Sequence, residues 1–303
     1  MLRRVETPLD PEEAAAEGAP AQGSISPLAR MGAVHLTVAS LSRSIDFYSS
    51  AVGLRVHGRS DDSVRLGTGG EDLLVLWEQS GARPARSYSG LYHFALLLPD
   101  RADLALWLVH AARDQVPLVG LSDHFVSEAI YLQDPDDHGI EIYWDRPREL
   151  WEGQVARRMT TLPLDTDSLV AELADPATAV FDGLPLGTVM GHVHLRVAAV
   201  PPTIAFYRDL LGFGLMASLG SAAFLGAGGY HHHLGANTWE SAGREAAPPG
   251  YATLRQATVV LPDAAERDRL LGAVGQEPEA VDGGGMLVRD PSGNAVVLEV
   301  GGE

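Results

Sequence analysis

The sequence predicts an α+β fold of four βαβββ units in tandem, because it combines an internal repeat with a change of hydrophobic period. Residues 33–54 match residues 192–213, and both copies carry a Phe-Tyr pair followed by a helix-ending glycine. In the first copy, alternating apolar residues predict a strand over Val34–Val38. The apolar spacing of Ser42–Val52 predicts a short helix that ends at Gly53. The chain is therefore a tandem duplication.

Each half divides again, because the pattern of strand, helix and strands restarts within it. After the first helix, the predicted elements of the first half are strands Val56–Arg65 and Leu73–Glu78, strand Tyr92–Leu98, helix Arg101–Asp114, and strands Ser127–Gln133 and Gly139–Trp144. We number the resulting units one (33–80), two (91–145), three (192–240) and four (252–300).

The repeat also predicts the domain boundaries. Residues 1–30 are rich in Ala, Glu, Pro and Gly and are predicted to form a mobile tail. An N-terminal domain over 31–147 and a C-terminal domain over 190–303 follow. They are joined by a linker over 148–189, which contains a short predicted helix at Asp167–Leu173.

The composition excludes several classes of function. The formal net charge of −18 argues against nucleic-acid and anionic-membrane partners. The chain has no cysteine, which excludes disulfides, thiolate metal sites and cysteine nucleophiles. It has neither a signal-peptide pattern nor an apolar run near the ~20 residues that span a bilayer, so we expect a cytoplasmic protein. The sequence leaves open whether the chain forms a homo-oligomer.

Two polar residues in predicted strands of unit two indicate a metal site. His93 and Glu141 each lie among apolar residues, at the two ends of the unit. Burying an unpaired carboxylate in a sheet is costly, and a bound divalent metal would offset that cost. Imidazole and carboxylate are a common ligand pairing, so the sequence predicts a metal that needs at least one further ligand from elsewhere.

The unit pattern and three stretches resemble the vicinal oxygen chelate superfamily, which contains glyoxalase I, bleomycin-resistance proteins and extradiol dioxygenases. More narrowly, the chain resembles the CatE-type catechol 2,3-dioxygenases. The stretches are Gly90–Asp100, Asp123–Tyr131 and Gly228–Trp239, the last of which reads Gly-Gly-Tyr-His-His-His-Leu-Gly-Ala-Asn-Thr-Trp. The resemblance implies that units pair into cupped mixed sheets, and that metal ligands come from the first and last strands of each unit.

If metal ligands come from those strands, the four units differ in the number of ligand-type residues that they carry there. Unit two offers His93 and Glu141, and unit three offers His192, with His194 on the same face. The matching positions elsewhere are Ala33 in unit one and Gln256 and Val297 in unit four, none of which is a histidine or a carboxylate.

Two pairings of the units remain open from the sequence. If unit two pairs with unit three, one cup holds the complete set His93, Glu141 and His192, and the cup of units one and four is empty. We favour this pairing because it concentrates the ligands. If neighbouring units pair instead, the competing triad is His192, His232 and Glu299, all from the second half.

The resemblance also implies the chemistry. Two imidazoles and one carboxylate leave open positions, as in non-heme Fe(II) oxygenases, so the expected cofactor is Fe(II), with Mn(II) as the alternative. His232, the middle of the triple histidine, matches the family's acid/base, and His231 is the next candidate. Tyr131 resembles the tyrosine that hydrogen-bonds the substrate oxygen, and His124 is expected to approach the same pocket.

The resemblance therefore implies an extradiol dioxygenase of the catechol 2,3-type, whose partners are a small aromatic diol and O2. One alternative is a glyoxalase-like isomerase or lyase, in which His232 would be a fourth metal ligand. A second alternative is a non-enzymatic binding protein of the resistance kind, with an apolar cup and no metal.

Overall fold

The computed structural model describes residues 23–302, and their strands form two large mixed sheets and one small one. Residues 1–22, most of the predicted tail, lie outside the described part. Of the remaining tail residues, Ile25 is only 3% exposed, and its backbone N–H donates to the carbonyl of Gly212. This end of the tail therefore packs against the second half of the chain.

The first half contains two of the predicted units. Unit one consists of β1 Arg30–Val38, α1 Leu41–Phe47 with a π-helical turn Tyr48–Val52, β2 Arg55–Arg59, β3 Ser63–Gly67 and β4 Asp72–Glu78; the short strand β5 Arg83–Pro84 follows. Unit two consists of β6 Gly90–Leu97, α2 Arg101–Arg113, β7 Leu118–Asp123, β8 Ser127–Gln133 and β9 Gly139–Asp145.

The second half repeats this order after the connecting segment. That segment holds a 3-10 turn Arg148–Leu150, α3 Val155–Arg158, β10 Leu162–Pro163 and α4 Thr166–Val170. Unit three is β11 Val189–Arg196, α5 Val200–Ile204 with a π-helical turn Ala205–Leu210, β12 Gly214–Ser218, β13 Ala222–Gly226 and β14 Leu234–Asn237. After β15 Tyr251–Ala252, unit four is β16 Leu254–Leu261, α6 Ala264–Val274, β17 Glu279–Ala280, β18 Met286–Arg289 and β19 Ala295–Val300.

The strand order confirms the pairing of unit two with unit three. The nine-stranded sheet runs β10-β7-β8-β9-β6-β11-β14-β13-β12, with β6 antiparallel to β11 at its centre. The eight-stranded sheet runs β17-β18-β19-β16-β1-β4-β3-β2 and joins units one and four through β1 and β16. Strands β15 and β5 form the third sheet. Each large sheet therefore takes one unit from each half of the chain.

The two faces of the central strands have different surroundings. On β6, β9 and β11, alternate residues such as Phe94, Ile142 and Val193 are fully buried in the main hydrophobic core, which also contains Leu36 of the other sheet. The residues between them face the concave side of the nine-stranded sheet, as period-2 alternation requires. The shared core fixes the two sheets against each other and leaves the concave side for polar groups.

The helices follow the predicted spacing with one local difference. Helices α1 and α5, which follow the first strands of units one and three, each end in a π-helical turn. Gly53, at φ 95°, ends the turn after α1. Between the two sheets, the Tyr48 hydroxyl at the start of that turn donates to Asp134 of unit two at 3.0 Å. The equivalent Tyr207 donates to Asp290 of unit four. The Phe-Tyr pair thus supplies a buried hydrogen bond between the units of each half as well as core packing.

Among residues 23–302, no helix is long and apolar enough to cross a membrane.

Candidate metal centre

Three buried side chains converge at the centre of the nine-stranded sheet. Glu141 Oε2 lies 3.0 Å from His93 Nε2 and 3.1 Å from His192 Nε2, and the two imidazole nitrogens are 3.3 Å apart. Their residues are 2%, 6% and 1% exposed respectively. In the described part of the chain, this is the one group of histidine, cysteine or acidic residues close enough to hold a metal ion.

The strand register explains the convergence. On β9, residue Glu141 pairs with Ala95 of the parallel strand β6, two residues beyond His93. On the other side of β6, residue His192 of β11 also pairs with Ala95. One position of the central strand thus brings together side chains that lie far apart in the sequence.

A glycine permits the close approach of β9 to β6. Gly139 pairs with His93, and a Cβ atom at this position would lie 2.1 Å from the carbonyl oxygen of Tyr92 and 3.0 Å from the His93 Cβ. The backbone φ of Gly139 is not in the left-handed region, so the contact distance alone requires glycine here.

We expect Gly139→Ala to destabilise the fold by ~1–3 kcal/mol, because the added methyl group would push β9 away from β6. The shift would also separate Glu141 from His93 and weaken metal binding. Gly272→Ala is the control: it lies inside α6, nothing lies within 4 Å of its added Cβ, and alanine favours a helix. Chemical denaturation and metal titration of both variants check this expectation, which fails if the two behave alike.

The electrostatics of the three side chains suit a cation. Burial would raise the pKa of Glu141, but the neighbouring His192 and His93 outweigh burial and hold that pKa well below its usual value. Burial lowers the pKa of His192, although Glu141 opposes this. An ionised carboxylate beside a neutral imidazole is the form in which these groups bind a divalent metal. The residues present therefore fit a divalent metal ion.

The matching place in the eight-stranded sheet lacks ligands, as the sequence predicts. Gln256 pairs with His35 there, as His93 pairs with His194 in the nine-stranded sheet. Val297 pairs with Thr258, the counterpart of the pairing between Glu141 and Ala95. The strands of the two sheets therefore pair in equivalent registers, but the eight-stranded sheet does not have a metal-ligand set at the equivalent positions.

The structure separates the members of the competing triad. His192 and His232 belong to unit three in the nine-stranded sheet, whereas Glu299 lies on β19 in the eight-stranded sheet. Glu299 is half-buried, with Glu71 and Arg30 as its charged neighbours. Burial, followed by the Glu71 charge, raises its pKa.

The triple histidine precedes β14 instead of forming part of a strand, and its three rings have different surroundings. His232 lines the cavity, and its ring centroid is 4.1 Å from that of His192. His231 is completely buried, whereas His233 turns away and its Nδ1 accepts the N–H of Ala227 at 3.0 Å. Burial and the adjacent His192 hold the pKa of His232 well below its usual value. A neutral imidazole therefore faces the cavity beside the metal-ligand set.

His124 and Tyr131 form a hydrogen-bonded pair in the same cavity. The Tyr131 hydroxyl lies 2.7 Å from His124 Nε2, and His124 Nδ1 lies 2.8 Å from the Thr160 carbonyl oxygen. Since a carbonyl only accepts, Nδ1 of His124 donates to Thr160. Burial, then the charge of Glu141, raises the pKa of Tyr131 well above its usual value. Tyr131 therefore presents a neutral hydroxyl next to His93.

The cavity over these groups has a volume of about 670 Å³, within the usual range for small-molecule sites. Its walls come from units two and three and from the connecting segment, which contributes Met159, Thr160 and Thr161. The strand β10 attaches that segment to the edge of the nine-stranded sheet beside β7. The predicted linker is thus part of the cavity wall.

The sequence reasoning missed a set of hydrogen-bonded groups beside the metal-ligand set. Asp145 ends β9, and its carboxylate accepts from His231 and from the hydroxyl of Tyr230, both at 2.7 Å. Tyr143, on the same face of β9 as Glu141, lies 2.8 Å from the Tyr230 hydroxyl. Period-2 alternation along Glu141, Tyr143 and Asp145 was the available signal for these residues.

Comparisons with known proteins cover most of the chain. The family model described as Glyoxalase/Bleomycin resistance protein/Dioxygenase superfamily matches residues 30–142 and 189–298. The catechol-2,3-dioxygenase of Bacillus subtilis (strain 168) is 37% identical over 281 residues, which cover 89% of this chain and 96% of that protein.

Two solved structures have a similar fold. A candidate dioxygenase from Bacillus subtilis subsp. subtilis str. 168 superposes with a TM-score of 0.61 at 16% identity, over 92% of this chain and 86% of that one. Glyoxalase I from Zea mays superposes with a TM-score of 0.55 at 17% identity, over 89% of this chain and 92% of that one. At such identities, the likeness concerns the fold alone.

Proposed function

Because the chain belongs to the Glyoxalase/Bleomycin resistance protein/Dioxygenase superfamily, we propose that it is a metal-dependent extradiol dioxygenase that cleaves a catechol-type ring with O2. The observation that carries the proposal is a buried set of two histidines and one glutamate, of which His93 and Glu141 line a cavity. Such a set leaves metal positions free for a substrate. The 37% identical catechol-2,3-dioxygenase, matched over nearly its full length, supports the same reaction.

A divalent metal would be held by His93, Glu141 and His192, and we propose Fe(II), with Mn(II) as the alternative. When bound, the ion supplies a Lewis acid for the two diol oxygens and electron transfer between the diol and O2. The three side chains hold it at the base of the cavity, where water is largely excluded, because each is less than one-tenth exposed.

We propose that His232 moves protons during the reaction. It is neutral, it faces the cavity, and its ring packs against His192. We assign it as the acid/base that takes a proton from a diol hydroxyl and later returns one to the cleaved product. The pair formed by Tyr131 and His124 lies on the side of His93, where the tyrosine hydroxyl can hydrogen-bond a substrate oxygen.

The position of His232 supports this proposal over the glyoxalase-like alternative. In that alternative His232 would be a fourth ligand, but among the described residues it does not join the set of converging atoms. The binding-protein alternative, which has no metal, does not explain why a buried glutamate lies against two histidines.

We expect about one divalent metal per chain, because only one of the two concave sheet faces carries ligands in the described structure. Elemental analysis after anaerobic purification checks the stoichiometry, and oxygen-electrode measurements with catechol check the reaction. Two tightly bound metals per chain would contradict the single-site expectation. Metal-loaded protein that consumes no O2 with any of a series of catechols would contradict the function.

The cytoplasmic location expected from the sequence stays a prediction.

A further inference from the structure

A chain of hydrogen-bonded groups, which becomes fully buried at His231, leads from the end of β9 to His232. Asp145 Oδ1 lies 2.7 Å from His231 Nε2, and His231 Nδ1 lies 2.9 Å from His232 Nδ1. His231 is 0% exposed and His232 is 6% exposed. The metal-ligand set does not need this chain, since none of its bonds reaches His93, Glu141 or His192.

The direction of each hydrogen bond follows from the donors and acceptors available. A carboxylate only accepts, so Nε2 of His231 must donate to Asp145. When this is the single ring proton of His231, its Nδ1 has a lone pair that accepts the Nδ1 proton of His232. His232 in turn is left with an unprotonated Nε2, the nitrogen on the far side of its ring from His231. This is the tautomer that can take a proton from a substrate hydroxyl.

Asp145 makes a second hydrogen bond. Its Oδ2 accepts from the hydroxyl of Tyr230 at 2.7 Å, so Tyr143 is the donor in the 2.8 Å hydrogen bond between the two tyrosines. The ring of Trp151 lies edge-on to His231, with centroids 5.4 Å apart. Because Asp145 shares a strand with Glu141, β9 carries both a candidate metal ligand and the anchor of the histidine pair.

We propose that His231, anchored by Asp145, is a positioning residue that holds His232 in the orientation and tautomer required of an acid/base. This inference rests on the proposed function, because it assigns His231 a role in the same reaction. His231 does not touch the substrate cavity, and it acts through His232. In many enzymes a catalytic base is likewise oriented by a hydrogen bond to a neighbouring side chain.

Two variants of nearly the same shape test the proposal. His231→Asn keeps an acceptor oxygen near the position of Nδ1, whereas His231→Leu has none. We expect His231→Leu to lower kcat on the order of 10²-fold while KM and metal content stay near wild type. We expect His231→Asn to recover most of that loss. His233→Asn is the control, since that residue faces away from the cavity, and it should keep wild-type kcat.

Equal kcat values for His231→Asn and His231→Leu would overturn the proposal. So would a loss of metal from His231→Leu in step with its loss of activity, because that would indicate a general structural role. Thermal unfolding of all three variants shows whether the Asn and Leu substitutions cost similar stability, as their matched shapes lead us to expect.

A measurement without turnover separates this inference from the proposed function. In Zn(II)-loaded protein labelled with 15N-histidine, long-range proton–nitrogen spectra report which ring nitrogen of His232 carries the proton, with His232→Gln used for assignment. We expect the proton on Nδ1 in wild type and in His231→Asn, and a loss of this preference in His231→Leu. A proton on Nε2 of wild-type His232 would overturn the inference even in an active enzyme. If no catechol is cleaved, the proposed function fails, whatever the tautomer.

Discussion

Glu141→Ala is expected to remove both metal binding and turnover. Glu141 is the one carboxylate in the converging set, and it supplies the negative charge that faces two imidazoles at 3.0 and 3.1 Å. Without it, two histidines would have to hold a divalent ion in a buried site with no compensating negative charge, which is unfavourable. We expect metal affinity to fall by more than ~100-fold, beyond the loss seen when only a supporting residue is removed. Competition with a fluorescent chelator measures the affinity.

His93→Ala and His192→Ala should have the same effect, although these residues lie in different halves of the chain. Glu299→Gln is the matched control for the carboxylate, because Glu299 lies in the eight-stranded sheet away from the histidines. It should leave metal content and kcat unchanged. A metal-free Glu299→Gln variant, together with a metal-replete Glu141→Ala variant, would place the site in the second half and refute the assignment.

His232→Gln is expected to keep the metal but lower kcat by ~10²-fold or more, as is typical when an acid/base is lost. Glutamine retains a polar side chain of similar length but cannot accept a proton at neutral pH. The metal-ligand set should survive, because His232 lies beside His192 without joining the three converging atoms. Metal analysis and steady-state kinetics on the same preparation check both halves of the expectation.

The opposite outcome for His232→Gln is equally informative. If metal content falls in proportion to kcat, His232 is a ligand, and the glyoxalase-like alternative gains support. Substrate binding under anaerobic conditions provides a further comparison, since a lost acid/base should leave a catechol able to bind, whereas a lost ligand should not.

The helices and strands could be predicted from the sequence because the spacing of apolar residues that identifies each element lies within a short stretch of the chain. The prediction of strand Ser127–Gln133 agrees with β8 residue for residue, and helix Arg101–Asp114 differs from α2 by one residue. The family resemblance and the α+β fold of four repeated units are confirmed as well. The roles assigned to His93, Glu141, His192, His232, Tyr131 and His124 stay predictions, although the structure brings all six side chains to one cavity or its base.

The triple histidine shows where local reasoning fails. Read as a strand, its rings would alternate between two faces. In the structure β14 begins only at Leu234, so His231 and His232 can lie side by side with their Nδ1 atoms 2.9 Å apart. Asp145 could not be connected to His231 from the sequence, because the two residues are distant along the chain and meet only through the packing of unit two against unit three.

The repeated units, the faces of their strands and the concentration of ligand-type residues in units two and three could be assigned from the order of the amino acids. The pairing of β6 with β11 and of β1 with β16, which completes the metal-ligand set across the two halves, emerged from the folded chain. Hydrophobic alternation specifies which side of a strand is buried, whereas the choice of neighbouring strand depends on how two strand edges and their common core fit together. That choice sets every distance in the site, from Glu141 to the histidines and from Asp145 to His232.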